Sequence, residues 1–118
     1  MKVINLTPHD VTVRLSDGKD ITYPATGIVA TVARRATDAD PLPDGCPTCY
    51  VDSSPAIIPC MAYELARGAD AFSFIVSTVF ATSYREHGGW ASLLVPDSGP
   101  SAIRENGRVV AVRRLIRS

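Results

Sequence analysis

The side chains whose type and spacing could do chemistry are few: three cysteines, two histidines and a run of arginines near the end of the chain. Cys46-Pro47-Thr48-Cys49 has the C-x-x-C spacing of zinc sites and of thioredoxin-like redox centres. A redox pair of that kind belongs between a buried strand and a helix N-terminus, whereas this motif follows Asp40-Pro41-Leu42-Pro43-Asp44-Gly45, which reads as a loop rich in turns. A structural zinc needs four ligands, and only Cys60 with His9 or His87 would complete the set, at irregular spacing. The expectation is therefore no metal and no cofactor, with Cys46, Cys49 and Cys60 as incidental thiols. Arg104, Arg108, Arg113, Arg114 and Arg117 stand against only Glu105 in the closing stretch. Arginine grips phosphate or carboxylate with a planar fork, so this cluster is a candidate anion site. His9 follows Thr7-Pro8 at a strand end, where an imidazole could meet a ligand. Asp97-Ser98-Gly99, between two prolines, suits an anion-binding nest, or Asp97 orients Arg104. Tyr84, Phe80 and Trp90 could stack on a base.

Enzyme signatures are missing. There is no nucleophile elbow, phosphate-binding glycine loop, dinucleotide fingerprint or paired metal-ligand motif. The expectation is a protein with no catalytic residues, whose ligand-binding residues are His9, Tyr84, Asp97, Ser98, Arg104 and Arg113.

The elements that must position these residues follow from composition and pattern. At 118 residues there is room for one domain, spanning 1–118, and 46% hydrophobic residues suffice for a core. Nine Pro and eight Gly point to many short elements. No run reaches the roughly 18 apolar residues of a membrane helix, and Met1-Lys2-Val3-Ile4-Asn5 turns polar too soon for a signal peptide. No membrane association and a cytoplasmic setting are expected. The net charge of zero supplies no overall field for nucleic acid, which is not an expected partner. Ten Arg against two Lys, with fourteen Ala, also fit a GC-rich genome; the clustering at the C-terminus needs something further.

Val3-Ile4-Asn5-Leu6-Thr7 and Val11-Thr12-Val13-Arg14-Leu15 read as an N-terminal hairpin, followed by extended segments at 21–24 and 27–33. Residues 36–55, with four Pro and four Asp, read as a long surface loop. The apolar run 56–65 is compatible with strand or helix. Phe72-Ser73-Phe74-Ile75-Val76 is a buried strand, Ser77 caps a helix over 77–87, and Gly88-Gly89 stops it. A strand at 90–95 follows. Asn106-Gly107 joins 102–105 to a strand at 108–115, setting Glu105 opposite Arg108, Arg104 opposite Val109 and Ile103 opposite Val110, with Arg104 and Arg113 on one face. The fold class expected is α+β: a twisted antiparallel sheet or small β-barrel with one helix packed on it. The C-terminal strand, apolar on both faces, predicts self-association into a homo-oligomer if it lies at a sheet edge.

Five segments carry a resemblance: Val3-Ile4-Asn5-Leu6-Thr7-Pro8-His9-Asp10-Val11, Tyr23-Pro24-Ala25-Thr26-Gly27-Ile28-Val29-Ala30, Ile75-Val76-Ser77-Thr78, Val95-Pro96-Asp97-Ser98-Gly99-Pro100, and Ile103-Arg104-Glu105-Asn106-Gly107-Arg108-Val109-Val110-Ala111-Val112-Arg113. Together they resemble a family of small proteins of tailed phages, prophages and bacteria that begin with N-L-T-P-H. The resemblance implies a phage context, an infected or lysogenic bacterial host. In kind, a small β-rich, arginine-bearing phage protein is similar to the viral sponge proteins that sequester cyclic nucleotide signals of bacterial immunity. The function expected is sequestration of a small anionic, nucleotide-derived signal; the alternative is a protein-interaction or virion-associated module.

Overall fold

The computed structural model describes residues 2–55, 71–88 and 92–118. A four-stranded sheet forms its centre. Its members are β1 (Lys2–Asn5), β6 (Phe72–Ile75), β7 (Leu93–Pro96) and β10 (Leu115–Arg117), in that spatial order. β1, β6 and β7 run parallel, and β10 joins β7 antiparallel, with Ile116 opposite Val95. The helix α1 (Thr78–Glu86) makes the crossover from β6 to β7. The α+β class holds, but the sheet is mixed and mainly parallel, and the sheets do not close into a barrel. The reason lies in β6: Ser73, Phe74 and Ile75 are all buried, and a strand buried on both faces belongs inside a covered parallel sheet.

The side chains on one face of this sheet form the core. Ile4, Phe74 and Leu93 are paired neighbours across three strands and pack with Leu6, Val76 and Val95 against Phe80 and Ala81 of α1. Ile75 and Leu94 point the other way and are buried as well, so the second face is also closed off. Ser77 caps α1 as expected, its hydroxyl accepting from the Phe80 N–H at 3.1 Å.

The N-terminal hairpin is not formed. β1 pairs with β6, whereas β2 (Val11–Arg14) pairs with β3 (Asp20–Tyr23). The deciding group is Asn5, 1% exposed, which turns the chain away after β1. Its Nδ2 donates to the carbonyl oxygens of His9 (2.8 Å) and Tyr23 (2.9 Å). Its Oδ1 accepts from the N–H (2.9 Å) and the hydroxyl (2.6 Å) of Thr7. Both donors and both acceptor sites of the amide are used, which is what a buried Asn requires.

The long loop expected over 36–55 is instead mostly a hairpin. β4 (Val32–Ala39) and β5 (Thr48–Pro55) pair antiparallel along eight residues each, leaving only 40–47 as the connection. Three of the four prolines, Pro41, Pro43 and Pro47, fall in that connection, while Val32, Thr37, Thr48, Tyr50 and Val51 supply β-forming residues outside it. The Asn106-Gly107 turn joins β8 (Ile103–Glu105) to β9 (Arg108–Ala111), with both turn residues at positive φ. Glu105 faces Arg108 and Arg104 faces Val109 as expected, but a bulge shifts Ile103 to Ala111 rather than Val110. The strand expected at 108–115 is broken, because Val112 leaves β9 to bridge Val13 of β2 and the chain then enters β10. Residues 56–65, Cys60 and Trp90 lie outside the described residues. No helix among the described residues is long and apolar enough to cross a membrane.

Candidate functional site

The parallel strands β1, β6 and β7 end on the same side of the sheet, where crevices outside strand carboxyl ends receive ligands in open α/β sheets. A cleft of about 330 Å³ lies there. Thr7 comes from the segment after β1, Val76 and Ser77 from the link between β6 and α1, Thr78 from the first turn of α1, Val95 and Pro96 from the end of β7 and Ser98 from the loop after it; Val11 of β2 closes one side. A smaller hollow of about 130 Å³ adjoins it, sharing Val11, Pro96 and Ser98 and reaching Asp10 and β9. The lining combines the apolar Val11, Val76, Val95 and Pro96 with the hydroxyl-bearing residues Thr7, Ser77, Thr78 and Ser98. The first turn of α1 opens onto it; the N–H groups of Thr78 and Val79 have no acceptor among the described residues.

The loop after β7 is held from two sides. Arg104 places its guanidinium fork on the loop's carbonyl oxygens, Nη2 on Ser98 (2.7 Å) and Nη1 on Gly99 (3.2 Å). Asp97 accepts from Nε of Arg114 at 2.6 Å and from the Gly99 N–H at 3.2 Å. The Arg114 hydrogen bond, followed by that of the Gly99 N–H, holds the Asp97 carboxyl below its ordinary value. The loop is thus not a nest offering free N–H groups to an anion: Gly99 gives its N–H to Asp97, and the loop's carbonyls face a cation of the chain itself. Asp97 orients Arg114, not Arg104.

Among the six residues expected to bind ligand, Asp97, Ser98 and Arg104 meet at this loop, and only Ser98 lines the cleft. His9 is exposed, two residues beyond Thr7, and its carbonyl accepts from Nδ2 of Asn5. Arg113 is separated from Arg104 because the chain leaves the sheet of β8 and β9 at Val112; the shared arginine face does not exist. Tyr84 lies in the last turns of α1, six residues beyond the cleft, stacked on Phe80 at 5.7 Å with the Arg85 guanidinium 5.8 Å over its ring. It packs on the core. Sequence reasoning passed over Thr7, Ser77 and Thr78 as ligand-facing residues, although each stands in a segment that carried the family resemblance.

Cys46 and Cys49 are both exposed, and no turn separates them as the chain enters β5. An extended C-x-x-C sets its thiols on opposite sides of the chain with Cα atoms roughly 10 Å apart, too far for a disulfide. No group of three or more metal-ligating side chains occurs among the described residues. A larger depression of about 720 Å³ lies between β4 and the end of α1, but its Arg34 and Arg35 are matched in number by Asp52 and Glu86, leaving no excess charge to hold an ion.

No family, curated protein or solved structure matches the chain.

Proposed function

We propose that the protein binds, without chemical conversion, a small ligand carrying a phosphate or carboxylate group, and that the anionic group sits in the cleft at the carboxyl ends of β1, β6 and β7. The observation that carries this reading is the convergence there of three segments far apart in the chain, those around Thr7, Ser77-Thr78 and Ser98, with their hydroxyl-bearing residues around one hollow. A helix N-terminus supplies backbone donors and a favourable dipole for an anion. The cleft volume lies at the lower end of the roughly 300–1,000 Å³ of ligand pockets, which suits one small anionic group with a compact apolar body. Among the described residues its lining holds no carboxylate, imidazole or thiol, which favours binding over catalysis. A nucleotide-derived signal of bacterial immunity is the ligand class that the phage resemblance suggests. Arg104 and Arg114 act in this reading by positioning the Ser98 loop.

Mass spectrometry of small molecules released from the purified, heat-denatured protein, with calorimetric titration of inorganic phosphate and a mononucleotide, tests the proposal. Ser98→Phe, which fills the cleft, should abolish binding, Arg104→Ala should weaken it about tenfold by loosening the loop, and Arg113→Ala should leave it unchanged. No released ligand together with no titration heat, or wild-type binding by Ser98→Phe, overturns it.

A further inference from the structure

The hairpin of β4 and β5 is widely exposed over its described residues. From Ala33 to Asp38, and from Cys49 to Asp52, every residue is exposed, on both faces; Tyr50 is 71% and Val51 49% exposed. An isolated two-stranded hairpin is marginal in water, and this one has no third strand on either edge among the described residues. α1 packs mainly along β5, so β4 keeps the freer edge.

We infer that β4 pairs antiparallel, across a two-fold axis, with β4 of a second copy of this chain. The charge pattern of the strand is self-complementary about Ala36. With Ala36 opposite its own image, Arg34 of one copy faces Asp38 of the other, Arg35 faces Thr37, and Ala33 faces Ala39, each pair occurring twice by symmetry. Facing side chains in an antiparallel pair approach to about 5 Å, close enough for the two Arg34–Asp38 pairs to form, and the small Ala36 lets the backbones meet at the axis. Neither Arg34 nor Asp38 has an ion-pair partner within its own chain among the described residues, so both are free to take one from a partner. Neighbouring registers fit less well. Centring on Arg35 sets that arginine against itself, and centring on Thr37 sends Arg34 to Asp40, outside the strand.

Sedimentation velocity of the full chain over a micromolar concentration series reads the association directly. The wild type should run at twice 12.6 kDa. Arg34→Asp and Asp38→Arg should each raise the dissociation constant about tenfold, because two attractive pairs become repulsive, and the double variant carrying both changes should restore the wild-type value. Far-ultraviolet circular dichroism of each variant, with Arg108→Asp on β9 as a surface-charge control that should leave association unaltered, separates loss of pairing from loss of folding. A monomer at all concentrations, single variants that associate like the wild type, or a double variant that fails to recover while folded would each overturn the proposal.

Discussion

Replacing Asn5 by alanine probes the claim that the N-L-T-P-H segment is built first as a backbone clamp. The amide makes four hydrogen bonds, two donated to the carbonyls of His9 and Tyr23 and two accepted from Thr7. It also fixes where β1 ends, since the Asn5 carbonyl accepts from the Thr26 hydroxyl at 3.1 Å. A net contribution of about 1 kcal/mol for each bond gives an upper figure of about 4 kcal/mol; the exposed His9 carbonyl regains water in the variant, which lowers the expected loss to about 3 kcal/mol. Against a total stability of about 5–15 kcal/mol this is a large fraction. Urea unfolding followed by circular dichroism should show the midpoint falling by about 2 M with an unchanged slope, taking a slope of about 1.5 kcal/mol per M. Asn5→Asp keeps the shape but faces two carbonyl oxygens with a carboxylate, so it should be weakest at neutral pH and recover on acidification, when protonation returns one donor. A midpoint shift below about 0.5 M for Asn5→Ala would refute the clamp, because buried amides with all sites filled do not come out so cheaply.

Asp97 predicts a pH effect of definite sign. Its carboxyl is held below its ordinary value first by the Arg114 hydrogen bond, so the stabilisation is present above the unfolded-state value and is lost as the pH falls through the lowered folded-state value; Asp97→Asn should flatten that acidic part of a stability-versus-pH curve, measured by chemical denaturation. Gly107 sits at positive φ, in the left-handed region. A Cβ there costs on the order of 1 kcal/mol, so Gly107→Val should lower the thermal midpoint, and a neutral melt would mean that the turn relaxes.

Local chemistry made several parts of this protein readable from sequence. Ser77 is a good helix cap because its hydroxyl reaches an N–H three residues on, and Asn106-Gly107 closes a hairpin because both residues accept positive φ. Those preferences are satisfied within four or five residues and need no knowledge of the rest of the chain. The Phe72 to Val76 run was likewise legible as buried, because its second half, Phe74-Ile75-Val76, is apolar on successive residues, as a strand covered on both faces requires.

Tertiary structure alone decided the rest. Whether β1 pairs with its neighbour β2 or with β6, some seventy residues on, depends on which arrangement puts Ile4 and Leu6 against Phe74 and Phe80 while satisfying the Asn5 amide, and no local pattern encodes that competition. The strand expected at 108–115 failed for the same reason: Val112 exchanges two backbone hydrogen bonds with β2, Arg14 N–H to Val112 O at 2.8 Å and Val112 N–H to Thr12 O at 2.9 Å, which ends its alternation with β8. The roles of the arginines followed from that break. A count of like charges locates a basic segment, but whether a guanidinium meets a ligand, a carboxylate or the carbonyls of its own chain is set by what the fold brings within about 3 Å, and here it brought Ser98 and Gly99 to Arg104 and Asp97 to Arg114.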